Sequence, residues 1–154
     1  MDTAVSTIVL AVGPKDEDDR LDDLARATLQ LASDTDANVL LTHVFTHEEF
    51  DQLAADLDYP KPTQEDVGEI LDRHESIRYL EGLFDEHDID HEVSGVVGDV
   101  SDGIVRTALE ADADRVFLSG QRRTPVGKAV FGSVLQSVLL EAPCPVTYVR
   151  PAEE

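Results

Sequence analysis

The stretch "LSGQRRTPVGKAVFGSVLQ" (residues 118–136) decides the fold class that the sequence predicts. It begins as the end of a short apolar strand, becomes rich in glycine, and ends in apolar residues at helical spacing. A strand that passes through a turn into a helix is the repeating unit of α/β proteins. The same turn gathers Arg122, Arg123 and Lys128, although the formal net charge of the chain is -21.

Short apolar segments of strand length recur on both sides of this stretch, and they are too short for helices. Five strands are predicted, at residues 6–12, 38–45, 89–97, 115–120 and 144–151. The third alternates apolar and polar residues, which is typical of an edge strand with one wetter face. Prolines bracket the fifth, which an edge strand also tolerates.

Four helices are predicted between the strands from apolar residues at helical spacing. Their inward faces are Leu21, Leu24, Ala25, Thr28, Leu31 and Ala32; then Val67, Ile70, Leu71, Ile77, Leu80 and Phe84; then Ile104, Val105, Ala108 and Leu109; and finally Val130, Phe131, Val134, Leu135, Val138 and Leu139. Thr63 or Asp66 is expected to cap the second helix, and Asp99 or Ser101 the third. Residues 46–62 are expected to be irregular because they contain two prolines.

Strands that alternate with helices predict a three-layer α/β sandwich, with a five-stranded parallel sheet, helices on both faces and right-handed crossovers. No linker, internal repeat or low-complexity segment divides the chain, so residues 1–154 are predicted to form one domain. In such sheets, ligands bind at the carboxyl ends of the strands, where the strand order reverses. The glycine-rich turn after residue 119 lies at one such end.

The glycines of this turn are candidates for a phosphate cradle. Gly120, Gly127 and Gly132 would let backbone amides approach an anion, next to a helix start that attracts negative charge, and Ser133 would add a hydroxyl. The alternative is that these glycines only turn the chain and allow close helix packing. The turn is not a Walker A loop, because six residues separate its first two glycines and Ala129 follows the lysine.

The basic residues of the turn also have two interpretations. Arg122 and Arg123 could grip phosphate oxygens bidentately, and Lys128 could act as a point charge. Local cations are what a polyphosphate site requires in a chain whose mean field repels polyphosphate. The alternative is ordinary surface salt bridging with the many carboxylates.

The acidity of the chain is spread along its length. There are 33 aspartates and glutamates against 12 lysines and arginines. Molar salt reduces the screening length to about 3 Å, so repulsion among these carboxylates would largely vanish there. We interpret the composition as a halophile surface and not as an acidic tail that seeks a basic partner.

Composition also narrows the class of protein. The chain cannot offer the broad basic face that nucleic acid requires. A helix needs about 18 apolar residues to span a bilayer, and no apolar run in the sequence approaches this length. The first residues lack the basic region of a signal peptide. The one cysteine, Cys144, fits a cytoplasmic location. We therefore expect neither a nucleic-acid nor a membrane partner.

Two motifs carry a family resemblance. A strand followed by Gly120 and, in the helix start, by the pair Gly132–Ser133 is similar to the pattern G-x2-G-x9-G-[ST], and "LEAPCPVTYVRP" at 140–151 is similar to the last strand of the same family. On these motifs the chain resembles the universal stress protein family, an adenine nucleotide alpha hydrolase-like domain, over nearly its whole length. The resemblance, together with the acidic composition of the chain, indicates a halophilic archaeon as the source.

The resemblance implies a strand order of 3-2-1-4-5 and a bound ATP or related adenine nucleotide, with or without Mg²⁺. It also implies a homodimer through residues 145–150, whose exposed edge invites pairing with another chain. A regulatory protein partner is expected, without a sequence feature that identifies it. The implied function is that of an ATP-binding protein of stress response or regulation.

The resemblance assigns further nucleotide contacts residue by residue. Val12 and Gly13 follow the first strand, where many ATP-binding members have an aspartate, and Val44 matches a position that packs on adenine, with a plain core residue as the alternative. Val134 accompanies Ser133 at the start of the last helix.

Arg123 occupies the position of the motif's second glycine, and the spacing from there to Gly132 is one residue shorter than in the motif. Arg123 either blocks the approach of phosphate or replaces it with a side-chain contact. If it blocks, the protein is a dimeric interaction protein that has lost nucleotide binding. A weak ATPase is the other alternative.

Other chemistry is not predicted. His43 and His47 lie on a strand and its exit, not on one helical face, so shared metal ligation is not expected. Cys144 lacks a basic activating neighbour and is expected to be a small buried residue. We predict no catalytic residue and no metal ligand. A non-enzymatic role is favoured, with slow ATP hydrolysis at most.

If the carboxylate excess is a halophile surface, the melting temperature should rise steeply between low salt and molar KCl, because screening removes the repulsion among carboxylates. Thermal unfolding across a KCl series measures this. A melting temperature that is flat across the series would contradict the interpretation.

Overall fold

The structure is a computed structural model that describes residues 4–13, 18–59, 63–119 and 133–149. Its strands are β1 (Thr7–Ala11), β2 (Asn38–Phe45), β3 (His91–Val97), β4 (Arg115–Ser119) and β5 (Val146–Val149). All neighbouring strands pair in parallel, in the order β3-β2-β1-β4-β5. The predicted fold class and strand order are confirmed, and β3 is an edge strand as expected.

Six α-helices connect these strands within the described residues, where four were predicted. They are α1 (Asp18–Thr35), α2 (His47–Asp56), α3 (Val67–Asp72), α4 (Glu75–Glu86), α5 (Val100–Glu110) and α6 (Ser133–Glu141), with a short 3-10 turn at Gln64–Asp66. Across this part of the chain, none of the helices combines the length and the apolar character needed to cross a membrane.

The sheet separates two apolar cores because successive side chains of a strand point to opposite faces. Ile8 and Leu10 of β1 pack against α1 to α4 on one face. Val9 and Ala11 pack against α5 and α6 on the other. Ile8, Val9 and Leu10 are fully buried, as expected for the central strand of a parallel sheet covered on both faces. The three-layer arrangement is therefore confirmed.

The expectation that residues 46–62 are irregular was wrong, since α2 occupies most of them. Thr46 caps this helix: its side-chain oxygen accepts a hydrogen bond from the Glu49 backbone N–H at 3.1 Å. The prolines at 60 and 62 follow the end of the helix at Asp56 and therefore do not interrupt it.

The long helix expected after Thr63 is divided into α3 and α4. The backbone leaves the helical conformation at His74, whose φ and ψ are -73° and 119°. Asp66 does not cap α3 with its side chain; its carboxylate instead accepts a hydrogen bond from the Thr63 N–H at 2.8 Å. The predicted inward residues of this region are nonetheless all buried: Val67, Ile70, Leu71, Ile77, Leu80 and Phe84.

Two leucines predicted to face inward are exposed instead: Leu109 at the end of α5 is 59% exposed, and Leu139 in α6 is 50% exposed. Each follows a buried residue directly, and one step along a helix turns the side chain by about 100°. The cap predicted for α5 is confirmed, because the Asp99 carboxylate accepts a hydrogen bond from the Asp102 N–H. This bond, with a second from Ser101, lowers the pKa of Asp99.

The contact between α5 and β2 depends on a glycine. A Cβ atom at Gly103 would lie 2.7 Å from both Cγ atoms of Val44, a separation that real Cβ atoms essentially never show. Glycine at this position therefore lets α5 lie close against β2. Gly82 in α4 differs, because a Cβ there would meet no atom within 4 Å.

We predict that Gly103→Ala lowers the free energy of unfolding by about 1 to 2 kcal/mol. Overpacking of a core typically costs about 1–3 kcal/mol, which exceeds the gain of up to about 1 kcal/mol in helix propensity. Denaturant unfolding at constant molar salt measures this. Gly82→Ala is the matched control and should be stabilising. Equal effects of the two substitutions, or no recovery of Gly103→Ala in a Val44→Ala background, would contradict the packing account.

Candidate functional site

The strand order reverses at β1. The chain leaves β1 towards α1 and β2 on one side, whereas β4 and β5 lie on the other side. The helices of the two halves cover opposite faces of the sheet, so the carboxyl ends of β1 and β4 lie where the two helix layers part. In α/β sheets, ligands bind at such a point. Ala11, the last residue of β1, is in register with Thr42 in β2 and Leu118 in β4. β1 and β4 therefore end within one residue of each other, whereas β2 continues for three more residues to Phe45.

Only part of the predicted nucleotide site lies within the described residues. Six of its residues are outside the described residues: Gly120, Arg122, Arg123, Gly127, Lys128 and Gly132. The other five are described: Val12, Gly13, Val44, Ser133 and Val134. The described residues include no arginine or lysine of the basic turn.

The described members come from both sides of the reversal. Val12 and Gly13 directly follow β1, and Ser133 is the exposed first residue of α6. Val134 is half-buried and packs in the same apolar cluster as Val44. The side chain of Val44 is only 4% exposed and contacts the helix that contains Gly103, so it has the core position that was the alternative to an adenine contact.

Val12 is held by both of its backbone groups. Its N–H donates to the Thr42 carbonyl at 2.8 Å, which extends the pairing of β1 with β2 by one residue. Its carbonyl oxygen lies 2.7 Å from Nδ1 of His43. A carbonyl only accepts, so Nδ1 of His43 carries a hydrogen and donates it.

His43 joins the strand end to α2. It is fully buried in β2, on the face covered by α1 to α4. Its Nε2 atom lies 2.9 Å and 3.2 Å from the two carboxylate oxygens of Glu49, in the first turn of α2. The ring of Phe45 meets the His43 ring edge-on, with the ring centroids 4.5 Å apart. The imidazole is thus fixed in position and in orientation.

His74 completes the cluster from the break between α3 and α4. Its ring centroid lies 4.5 Å from that of His43. One potential ligand atom from each of His43, Glu49 and His74 lies within 4.8 Å of the others. We call these three residues the His–Glu–His cluster. His47, which was considered as a partner of His43, is exposed and is not part of the cluster.

The cluster borders a groove of about 490 Å³ between α2 and the start of α4. Glu49 and His74 line this groove together with Gln52, Leu53, Asp56, Arg73, Glu75 and Ser76. The Glu49 side chain is 24% exposed, whereas the His43 side chain is fully enclosed. Solvent and small ions therefore reach the cluster from the side of Glu49.

The sequence interpretation missed Glu49 and His74 because they are 6 and 31 residues from His43 and belong to other elements. One local signal was present. Thr46 and Glu49 have the spacing of a capping box, which marks the start of a helix at residue 47. That helix places Glu49 over the end of β2. No comparable local signal marks His74.

Cys144 is half-buried and packs beside α5 and α6, so it is less enclosed than predicted. Burial raises the pKa of its thiol, and Asp114 adds to this effect, whereas Arg115 opposes it. A thiol held in its neutral form is a poor nucleophile. Its surroundings are those of a packing residue.

The fold is that of a doubly wound α/β domain whose strand order reverses at β1. The Universal stress protein family matches residues 5–150, so the chain belongs to this family. A universal stress protein of Mycolicibacterium smegmatis is 31% identical over 80 residues. This match covers 51% of the chain and 62% of that relative's length.

Solved structures of the same fold cover nearly the whole chain. A universal stress protein from Archaeoglobus fulgidus in complex with dAMP has a TM-score of 0.65 and 22% identity, and covers 94% of this chain and 97% of its own. A family protein from Arabidopsis thaliana with AMP bound has a TM-score of 0.63 and 17% identity, over 96% and 92%. At such identities the likeness shows the fold.

Proposed function

We propose that this protein binds ATP or a related adenine nucleotide, with or without Mg²⁺, at the carboxyl ends of β1 and β4. It would act in the cytoplasm as a stress-response or regulatory module, through a protein partner that recognises one nucleotide state. Slow hydrolysis of ATP is at most a side activity in this proposal, and no catalytic residue is assigned.

The observation that carries the proposal is the reversal of strand order at β1. α/β sheets bind their ligands at the carboxyl ends of the strands on either side of such a reversal, which here are β1 and β4. β4 ends at Ser119, and α6 begins at Ser133, so the glycine-rich basic segment joins the end of β4 to the start of α6 in the chain. A helix start next to a glycine-rich segment favours an anionic group.

The relatives support the chemical class of the ligand. The Archaeoglobus fulgidus structure contains dAMP, and the Arabidopsis thaliana structure contains AMP. Both ligands are adenine nucleotides, although neither carries more than one phosphate. The three basic residues of the turn are our reason to favour a polyphosphate in this chain, because its charge of -21 would otherwise repel one.

The same turn favours a second candidate, a dimeric interaction protein without nucleotide binding. Arg123 stands where the motif has a glycine, and its side chain could fill the phosphate pocket. The two candidates predict opposite consequences of removing that side chain. If Arg123 is a phosphate clamp, its removal weakens binding; if it is a plug, its removal strengthens binding or creates it.

We predict that the parent chain binds ATP in molar KCl and that Gly132→Asp abolishes binding, because it adds a side chain and a negative charge where phosphate would lie. Lys128→Ala and Arg123→Ala should each weaken binding about tenfold. This corresponds to about 1.4 kcal/mol, the free energy expected of one charge-assisted contact. Calorimetric titration with ATP measures these effects.

Arg78→Ala is the matched control, because it removes one positive charge from the exposed surface of α4, on the other side of the molecule from α6. It should leave the affinity unchanged. Binding that appears only in Arg123→Ala would favour the interaction protein. Absence of binding in both the parent and Arg123→Ala would overturn the nucleotide proposal.

We also propose a homodimer through residues 145–150. In support, β5 is the last strand of the sheet, and among the described residues its only strand partner is β4. Its four residues are half-buried rather than enclosed. An edge strand of this kind can pair with the same strand of a second copy.

Light scattering in molar KCl should therefore give twice the 16.9 kDa chain mass. Thr147→Lys in β5 should give the monomer, since lysine on an edge strand blocks pairing. Ser94→Lys is the matched control in β3, the opposite edge strand, and should remain dimeric. A monomeric parent, or a dimer that only Ser94→Lys disrupts, would contradict this interface.

A further inference from the structure

The Nε2 atom of His43 faces the carboxylate of Glu49. Nδ1 already carries a hydrogen, because it donates to the Val12 carbonyl. In a neutral imidazole, Nε2 would then hold only a lone pair. That lone pair would face the Glu49 carboxylate oxygens at 2.9 Å and 3.2 Å, which would be repulsive. A cation between these atoms would replace that repulsion with attraction.

The arrangement has the requirements of a metal centre. Two imidazoles and one carboxylate are ligand types that Zn²⁺ prefers. Zinc bonds of about 2.1 Å place neighbouring ligand atoms about 3.4 Å apart in a tetrahedral site. The separations from His43 to Glu49, 2.9 Å and 3.2 Å, are near that value, and all three ligand atoms of the cluster lie within 4.8 Å of one another.

The surroundings orient the ligands. In metal sites, a ligating histidine usually donates its other ring N–H to a carbonyl or carboxylate, which fixes the ring and its tautomer. The Val12 carbonyl has this role for His43. Thr46 caps α2 and so fixes the turn that carries Glu49. The fully buried His43 is therefore positioned before any ion arrives.

The groove supplies a route for the ion. Asp56 and Glu75 line it beside Glu49 and His74, and Arg73 is the basic residue of its lining. Two additional carboxylates at the entrance favour a divalent cation over an anion. The cluster supplies three protein ligands, and its side towards the groove is open to solvent. A fourth coordination position would therefore be left for water, as in zinc sites with three protein ligands.

We propose that His43, Glu49 and His74 form a binding site for one divalent transition-metal ion, with Zn²⁺ as the best-matched ion. With the hydrogen of the ring on Nδ1, the lone pair of Nε2 is available to bond the metal. This site lies on the α2–α4 face and does not depend on nucleotide binding. Without metal, the contact between Nε2 of His43 and the Glu49 carboxylate at 2.9 Å joins these two members of the cluster.

The experiment uses the full chain, treated with chelator and returned to metal-free molar KCl. Zn²⁺ is titrated in competition with a chromophoric chelator, and Co²⁺ is added separately to record its visible ligand-field bands. We expect one saturating equivalent, a higher melting temperature with Zn²⁺, and Co²⁺ bands typical of low coordination number.

Glu49→Gln and His74→Gln test the ligands without removing the buried imidazole. Each should weaken Zn²⁺ binding at least about tenfold, which is the loss typical even of an outer-shell partner of a metal site. The His74 side chain does not cap α4, so its replacement leaves the helix start intact. Glu48→Gln and His47→Gln are the matched controls, since both residues are exposed neighbours in α2, and neither should change the affinity.

Three outcomes would overturn the proposal: no saturation near one equivalent in the parent, equal affinity in Glu49→Gln and in Glu48→Gln, or equal affinity in His74→Gln and in His47→Gln. Each would mean that the cluster is only a hydrogen-bonded histidine–carboxylate pair with a second histidine beside it. A variant that unfolds without metal is recognised by circular dichroism, and the Co²⁺ bands of the parent then decide.

Discussion

The parallel pairing of β1 with β2 on one side and with β4 on the other is the constraint on which the structure depends. It buries β1 on both faces and forces the connections on its two sides to cover opposite faces of the sheet. The carboxyl end of β1 is therefore the place where the two helix layers part. The buried His43 lies beside that end, because its Nδ1 atom donates to the carbonyl of Val12.

Val12 lies where the two candidate sites meet. Its N–H prolongs the ladder with β2, and its carbonyl accepts the Nδ1–H of His43, which holds the His–Glu–His cluster against the strand end. The nucleotide proposal uses the carboxyl ends of β1 and β4, whereas the metal proposal uses the α2–α4 side of β2. One backbone group thus connects the two sites, although each proposal has its own ligands and its own test.

The sequence predicted the sheet well because buried parallel strands are short, apolar and β-branched, a pattern that needs no partner to be recognised. Residues 38–45 coincide with β2. The prediction from sequence failed where two local signals disagree. The two prolines indicated an irregular segment, although the capping box at Thr46 indicated a helix. The apolar face continues from α3 into α4, so the sequence pattern did not indicate the break at His74. The family motifs located the strand-order reversal. The His–Glu–His cluster was not predictable, because its members meet only after three separate elements pack together.

The central claim is that the carboxyl edge of β1 and β4 binds an adenine nucleotide. An ATP titration of the ¹⁵N-labelled chain in molar KCl, followed by amide chemical shifts, tests it most directly. The account predicts saturable shifts at Gly13, Ser133 and Val134, with those in α4 unchanged. Saturable shifts that leave these three amides unaffected, or no shifts at all, would contradict it.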